Sequence, residues 1–198
     1  MALRRLASRT AILHGWRVTS DSYAPYTAAA EKCRPKKVRI LFIQESPPYA
    51  TDRHFYFMGV KAHDGFWVNL MRFLYADEFG EDTGAERARK DHWLTRFQAD
   101  GYWTIDAMRE PIAKNEHDER VEMIAAQAGE RVAEVKAIKP QQIVLVKKSV
   151  FDALNEPLRA AGLPVVNEVA VPYPGRGQEG RFHKTLRGLV DSGKLKLA

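Results

Sequence analysis

The stretch Ile40-Leu41-Phe42-Ile43-Gln44-Glu45-Ser46-Pro47-Pro48-Tyr49 decides the fold that this sequence predicts. Its first four residues form a continuous apolar run, which is typical of a strand that is buried on both faces of a sheet. The two prolines end the strand, because proline cannot donate a hydrogen bond to the ladder. Polar side chains therefore stand at the carboxyl end of a buried strand, where open parallel sheets bind their ligands. The stretch predicts one wall of an active or binding cleft.

The rest of the chain alternates short apolar strands with helical patterns. We predict three further strands, at 102–105, 143–146 and 165–171, and helices at 23–32, 66–75, 120–138, 150–161 and 179–189. Ser149 is the expected N-cap of the helix at 150–161, Gly162 its C-terminal stop, and 77–89 a surface loop that runs into a helix. Such alternation predicts an α/β fold, a three-layer α/β/α arrangement with a mainly parallel four-stranded sheet. We expect a single domain over 1–198, with 1–35 as an N-terminal helical extension.

The composition limits the chemistry that the chain can support. Cys33 is the only cysteine, which excludes a disulfide within the chain, an iron–sulfur cluster and a cysteine-based zinc site. A lone thiol fits a reducing, cytoplasmic setting, and no apolar run approaches the ~20 residues of a membrane span. The histidines match no metal-binding pattern, so we expect no metal and no cofactor, and we expect a monomer. A net charge of +6 favours polyanionic partners, DNA among them.

Two carboxylates follow predicted strands and are candidate catalytic groups. Glu45 could act as a general base on water or stabilise a developing cation. The alternative is that Glu45 caps a nearby backbone group or pairs with an arginine. Asp106 ends the strand at 102–105, and it too could serve as a cap of the next turn.

Two other segments could contact a ligand. Aromatic residues cluster after the first strand (Tyr49, Phe55, Tyr56 and Phe57), and aromatic faces can stack on bases; core packing is the commoner role, so we expect one of the four to face a ligand. The loop Pro174-Gly175-Arg176-Gly177 allows close backbone approach, and the following helix could hold a phosphate at its first amides. The basic residues of this region are Arg176, Arg181, His183, Lys184 and Arg187, which could equally form a solvated basic face.

Taken together, these segments resemble the uracil-DNA glycosylase superfamily over about 39–190. The family's first motif is a strand followed by a Gly-x-x-Pro loop, which Gln44-Glu45-Ser46-Pro47 resembles, with Gln44 in place of the glycine. Thr104-Ile105-Asp106 resembles the family's strand that ends in a base-reading Asn. The passage from Ile138 to Val146 resembles the family's helix-Pro-strand segment. Val171-Pro172-Tyr173 stands where the family has His-Pro-Ser.

The resemblance implies a DNA glycosylase-like protein that flips a deaminated base into a cleft and hydrolyses the N-glycosidic bond. Glu45 and Asp106 would be catalytic, Glu45 at the sugar and Asp106 at the base edge. Base-binding residues would be Gln44, Ser46, Tyr49, Tyr56 and Phe57, and DNA-binding residues Tyr173, Gly175, Arg176, Arg181, His183 and Lys184. A catalytically inactive nucleic-acid or nucleotide-binding protein of the same fold is the alternative. A small-molecule hydrolase that uses Glu45 and Asp106 is a third reading.

Overall fold

A parallel sheet forms from the short apolar runs of the sequence. The computed structural model describes residues 12–13, 16–17, 23–50, 52–112 and 116–198. Within this part, the sheet has three strands in the order β4-β3-β5, and both pairings are parallel. They are β3 (Ile40–Gln44), β4 (Tyr102–Asp106) and β5 (Gln142–Leu145). Two short antiparallel strands, β1 (Ile12–Leu13) and β2 (Trp16–Arg17), precede them.

The register of the sheet aligns the strand ends that carry polar side chains. Gln44 of the central strand pairs with Asp106, and Ile43 pairs with Leu145. All residues of β3 and β4 are buried, as expected for strands without a solvent-facing side. The carboxyl ends of the strands therefore share one edge of the sheet.

The segment predicted as a fourth strand does not continue the ladder. Between two single parallel bridges, Ile143 with Val165 and Val146 with Val171, the fully buried side chain of Asn167 takes over the pairing. Its Oδ1 accepts from the backbone N–H of Leu145 at 2.9 Å, and its Nδ2 donates to the carbonyl of Leu145 at 3.1 Å. An amide side chain can satisfy the same backbone groups that a strand would. Within the described residues the parallel sheet therefore has three regular strands, and the segment predicted as the fourth contributes two single bridges.

Eight helices occur in the described residues, and most lie where helical periodicity predicts them. Their bounds are α1 Ala24–Lys32, α2 Gly65–Leu74, α3 Thr83–Ala88, α4 Lys90–Ala99, α5 His117–Ala125, α6 Ala128–Ile138, α7 Lys148–Ala160 and α8 Glu179–Asp191. The helix predicted over 120–138 is two helices, because Gln127 leaves the helical conformation at φ −104° and ψ 5°. The segment at 77–89, predicted as a surface loop that runs into a helix, contains the short helix α3, and α4 follows it. No helix of the described part is both long and apolar enough to cross a membrane.

The start of α7 corrects one sequence prediction. Ser149 is not the N-cap, since the helix begins one residue earlier and Lys147 occupies the cap position. Ser149 instead lies within α7, and its hydroxyl donates to Glu45. Gly162 does end this region, with φ +73° as predicted for a C-terminal glycine.

Aromatic packing fixes the helices around the sheet edge. Phe55 contacts both Phe66 of α2 and Phe97 of α4, and Phe66 contacts Phe182 of α8, with ring centroids 5.4 to 6.2 Å apart. On β4, Trp103 donates from Nε1 to the carbonyl of Ala30 at 3.3 Å. Helix α1, which lies in the predicted N-terminal extension, is therefore anchored to the same core.

Candidate functional site

A cavity of about 240 Å³ opens at the carboxyl edge of the sheet. Three kinds of segment form it: the end of β3 with the loop after it, the start of α2, and the residues that follow β5 and precede α8. Its wall is made by Gln44, Glu45, Ser46, Pro47, Pro48, Tyr49, Arg53, His54, Phe55, His63, Asp64, Phe66, Trp67, Ile112, Lys147 and Tyr173. The folded chain therefore has a cavity at the strand end where the sequence predicts a cleft.

Glu45 is the most heavily bonded carboxylate of this wall. It is 7% exposed, and its Oε2 accepts from Arg120 at 2.6 Å and also from the Lys147 ammonium group. Its Oε1 accepts from the Ser149 hydroxyl at 2.5 Å. A carboxylate oxygen has two lone pairs, so among the described partners Oε2 is filled and Oε1 retains one acceptor position. The alternative predicted for Glu45, pairing with an arginine, is present, and the carboxylate also borders the cavity.

Lys147 reaches Glu45 from an unusual backbone conformation. Its φ of +81° and ψ of 142° lie in a region that residues with a Cβ rarely adopt and that costs about 1–3 kcal/mol. The residue is held there because its N–H donates to the carbonyl of Val171 at 2.7 Å while its own carbonyl accepts from Phe151 at 3.1 Å. Burial lowers the pKa of the ammonium group, an effect that Arg120 and Arg176 add to and Glu45 opposes. Backbone strain that places a cation at a cavity wall is typical of functional sites.

Aromatic rings form the facing side of the cavity. Tyr173 stacks on Phe66 with centroids 5.7 Å apart and planes at 18°. The two segments approach closely, because a Cβ at Gly65 would lie 3.3 Å from the carbonyl of Pro174. Burial, with the nearby carboxylates of Asp106, Glu45 and Asp64, raises the pKa of Tyr173 to about 12. Both rings line the cavity, where Phe66 is 3% exposed and Tyr173 39% exposed.

A buried ionic cluster supports the inner wall at the start of α2. The Asp64 carboxylate accepts from Arg87 Nε at 2.8 Å and lies 3.5 Å from the Lys90 ammonium group. Lys90 is 2% exposed, and its nitrogen lies 4.8 Å from the ring centroid of Trp67. Burial lowers the pKa of Lys90 to about 8, although Asp64 opposes the shift.

Asp106 lies beside the cavity rather than on its wall. It is 2% exposed and borders a second, smaller cavity of about 30 Å³. Its Oδ2 lies 3.6 Å from His54 Nε2 and 3.5 Å from the hydroxyl of Tyr23. His54 stands between Asp106 and the main cavity, and that cavity brings together Gln44, Glu45 and Ser46 but not Asp106.

The predicted aromatic residues separate into two groups. Tyr49 lines the main cavity and is 63% exposed, and Phe55 lines it from the core. Tyr56 is bonded to the sheet, since its hydroxyl accepts from the N–H of Thr104 at 2.7 Å and donates to the Thr104 carbonyl at 3.3 Å. Phe57 stacks on Tyr26 with centroids 5.3 Å apart. Neither Tyr56 nor Phe57 borders the cavity in this structure.

The predicted DNA-binding residues also differ in their surroundings. Arg176 lies exposed in the loop at φ +53°, next to Gly177 at φ +78°. Gly175 follows Tyr173, and Arg181 and Lys184 are exposed on α8. His183 is half-buried, its Nε2 lies 3.0 Å from Asn69 Oδ1 on α2, and burial lowers its pKa.

Residues at the site that the sequence analysis missed include His54, Phe66, Arg120, Lys147 and Ser149. Two of them had a detectable signal, since Lys147 and Ser149 follow the third predicted strand in the same way that Glu45 follows the first. His54 lies in a segment without regular periodicity and Arg120 near a helix start. Only the fold brings His54 to the cavity wall and Arg120 to Glu45.

The described residues contain no group of three or more side chains suited to hold a metal ion. The sequence matches no protein-family model and no curated protein.

Proposed function

We propose that this protein is a DNA glycosylase-like protein that binds DNA and takes a flipped, deaminated base into the main cavity for hydrolysis of the N-glycosidic bond. The proposal includes the three-layer arrangement of the resembled family, with the irregular segment at 165–171 in place of its fourth strand. The observation that carries the proposal is the Glu45 carboxylate, held by three donors at the wall of an aromatic-lined cavity.

The size and lining of the cavity support a single base as the occupant. At about 240 Å³ the cavity is smaller than the ~300–1,000 Å³ of pockets for drug-sized ligands. Tyr173, which stacks on Phe66 and is 39% exposed at the cavity, is the ring on which the base would stack, and base–aromatic stacking contributes about 1–3 kcal/mol per base. The polar groups of Gln44, Ser46 and His54 surround the same space.

The charges around Glu45 favour one catalytic role over another. Lys147 and Arg120 both contact Oε2, so the three groups together carry a net charge of +1. That net charge opposes stabilisation of an oxocarbenium ion by Glu45, and it favours a nearby phosphate. The remaining lone pair of Oε1 can accept a hydrogen bond from water, so we assign Glu45 to positioning the attacking water.

Substitution of Glu45 tests the proposal directly. We expect Glu45→Gln to abolish the release of uracil or hypoxanthine from single- and double-stranded oligonucleotides, measured by alkaline cleavage at the abasic site. The variant leaves Lys147 and Arg120 without a counter-ion, so we expect it to lose about 1–3 kcal/mol of stability but stay folded by circular dichroism. Glu168→Gln, which changes an exposed glutamate paired with Lys194, is the matched control and should retain full release. Unchanged release of uracil and hypoxanthine by Glu45→Gln would contradict the assignment of Glu45 as a catalytic group.

A catalytically inactive nucleic-acid or nucleotide binder is the second candidate function. The observation that favours it is that Arg120 and Lys147 both bind Oε2 of Glu45. Such ion pairs are also what a carboxylate with a purely structural role would make. This candidate predicts salt-dependent DNA binding with no base released by the unsubstituted protein from the whole oligonucleotide panel.

A further inference from the structure

His54 separates the two cavities at the carboxyl edge of the sheet. Of the residues that the structure describes, it alone lines both the main cavity and the smaller one. The side chain is 4% exposed, and its ring packs at a steep angle against the stacked pair of Tyr26 and Phe57, with centroid distances of 4.9 and 5.2 Å. The orientation of the imidazole is therefore fixed by packing.

The two ring nitrogens of His54 have different surroundings. Nε2 lies 3.6 Å from Asp106 Oδ2, whereas Nδ1 is buried without a hydrogen-bond partner among the described residues. Because the nitrogens occupy the 1 and 3 positions of the ring, Nδ1 points away from Asp106. A buried polar atom left unpaired costs about 1–3 kcal/mol, and such an atom calls for a ligand or another reason to be retained.

Asp106 does not line the main cavity, and its closest described ionic contact with a residue that does is with this histidine. Its Oδ2 faces His54 and Tyr23, it borders the smaller cavity, and its Oδ1 has no partner in the described part of the chain. A carboxylate next to one imidazole nitrogen favours the proton on that nitrogen. Asp106 therefore selects the tautomer with N–H at Nε2, which leaves Nδ1 as a hydrogen-bond acceptor.

We infer that His54 reads the bound base through Nδ1 and that Asp106 is its positioning residue; this inference rests on the proposed function. An acceptor at Nδ1 selects a heterocycle with a ring N–H beside a carbonyl group. Uracil and hypoxanthine carry that N–H, while cytosine and adenine have a lone pair at the same position. The pair of His54 and Asp106 thus specifies oxo-bases over the amino-bases from which they arise by deamination.

Two methylated uracils test the recognition without requiring any catalysis. In 1-methyluracil the ring N–H at position 3 is present, and in 1,3-dimethyluracil no ring N–H remains. We expect 1-methyluracil to shift the Nδ1 resonance of His54 in long-range ¹H–¹⁵N spectra of the whole protein, and 1,3-dimethyluracil to bind at least tenfold more weakly. Equal binding of the two compounds, binding that leaves the His54 nitrogens unshifted, or no binding of either compound would overturn the inference.

Variants separate reading by His54 from a purely structural role. His54→Phe keeps a ring packed against Tyr26 and Phe57, whereas His54→Asn keeps an acceptor near the position of Nδ1. We expect kcat/KM for uracil release to fall on the order of 10- to 100-fold in His54→Phe and to recover in part in His54→Asn. Thermal melting identifies any loss of folding, and partial rescue by Asn at similar Tm distinguishes ligand contact from packing.

A double-mutant cycle tests whether Asp106 acts through His54. We expect Asp106→Asn to lower kcat/KM in the unsubstituted background but to add little in the His54→Phe background. Additive effects would show that Asp106 contacts the base itself and would overturn its assigned role. Uracil release that persists undiminished in His54→Phe would refute the inference and leave the glycosylase proposal standing. Recognition of 1-methyluracil by a protein that releases no base would refute the glycosylase proposal and leave the inference standing.

Discussion

At the scale of single residues, two buried ionic groups at the site, Glu45 and Lys90, differ in how well their charges are compensated. Glu45 is buried with two cations and a hydroxyl, so its charge is compensated within the wall of the cavity. Lys90 is buried with Asp64 as its ion-pair partner at 3.5 Å, and that pairing does not offset desolvation, since its pKa is lowered to about 8. The protein therefore carries a buried cation at a net cost in stability beside its candidate site.

Lys90 should make stability depend on pH in a defined window. Its pKa falls from 10.5 in the unfolded chain to about 8 in the folded state, so between these values the unfolded chain binds more protons. The free energy of unfolding therefore rises with pH across this window. We expect the stability of the unsubstituted protein relative to Lys90→Met to increase by about 1–3 kcal/mol between pH 7.5 and 10. Urea unfolding at several pH values measures this, with exposed Lys194→Met as the control. A difference that stays constant with pH would contradict the lowered pKa.

At the scale of elements, two junctions between regular structures carry strained lysines. Lys139 closes α6 in the left-handed conformation, at φ 54° and ψ 53°, and Lys147 precedes α7 at φ +81°. Only the second lysine contacts the candidate site. The described residues thus contain one strained junction that ends a helix and another that places a cation beside Glu45.

Glycine substitutions distinguish these two junctions. Lys139→Gly should stabilise the protein by about 0.5–1 kcal/mol, because glycine adopts the left-handed conformation without strain. Lys147→Gly relieves about 1–3 kcal/mol of strain but removes the ionic partner of Glu45, so we expect little net change in stability together with weakened DNA binding. Chemical denaturation and DNA-binding titrations measure both. DNA affinity unchanged in Lys147→Gly would show that the strain has no role at the site.

The elements also show what the sequence could and could not predict. Continuous apolar runs identified β3, β4 and β5, because buried parallel strands have a simple pattern. The run at 165–171 looked equivalent, but the Asn167 side chain bonds to the backbone of Leu145 in place of a ladder. The position of Glu45 at the cavity wall was predictable, because Glu45 is a polar residue that directly follows a predicted strand. Arg120 and His54 were not, since each reaches the site only through tertiary packing.

At the scale of the whole molecule, the net charge of +6 is consistent with a polyanionic partner. Two cations at opposite ends of helix α8 can distinguish the effect of a local positive charge on DNA binding from the effect of the overall charge. Arg176 lies just before the helix, near the cavity mouth, and Lys194 lies beyond its other end. A helix of 13 residues is about 20 Å long, so the two charges are far apart although each contributes +1.

Salt dependence of DNA binding should differ between these two positions. We expect Arg176→Ala to reduce the slope of log K against log salt concentration by about one, as loss of one phosphate contact does. Lys194→Ala removes the same charge away from the cavity and should leave the slope unchanged. Fluorescence anisotropy between 50 and 200 mM salt measures both slopes. Identical slopes for both variants would place the DNA elsewhere on the surface.

The central claim, that the main cavity receives a base flipped out of DNA, is tested most directly by a crystal structure. Crystals of Glu45→Gln with a short duplex that contains one uracil would show the position of that base. We predict that the uracil lies in the main cavity against Phe66 and Tyr173, with its ring N–H within hydrogen-bond distance of His54 Nδ1. A uracil that remains stacked in the duplex, or DNA bound at a face remote from Glu45, would contradict the account.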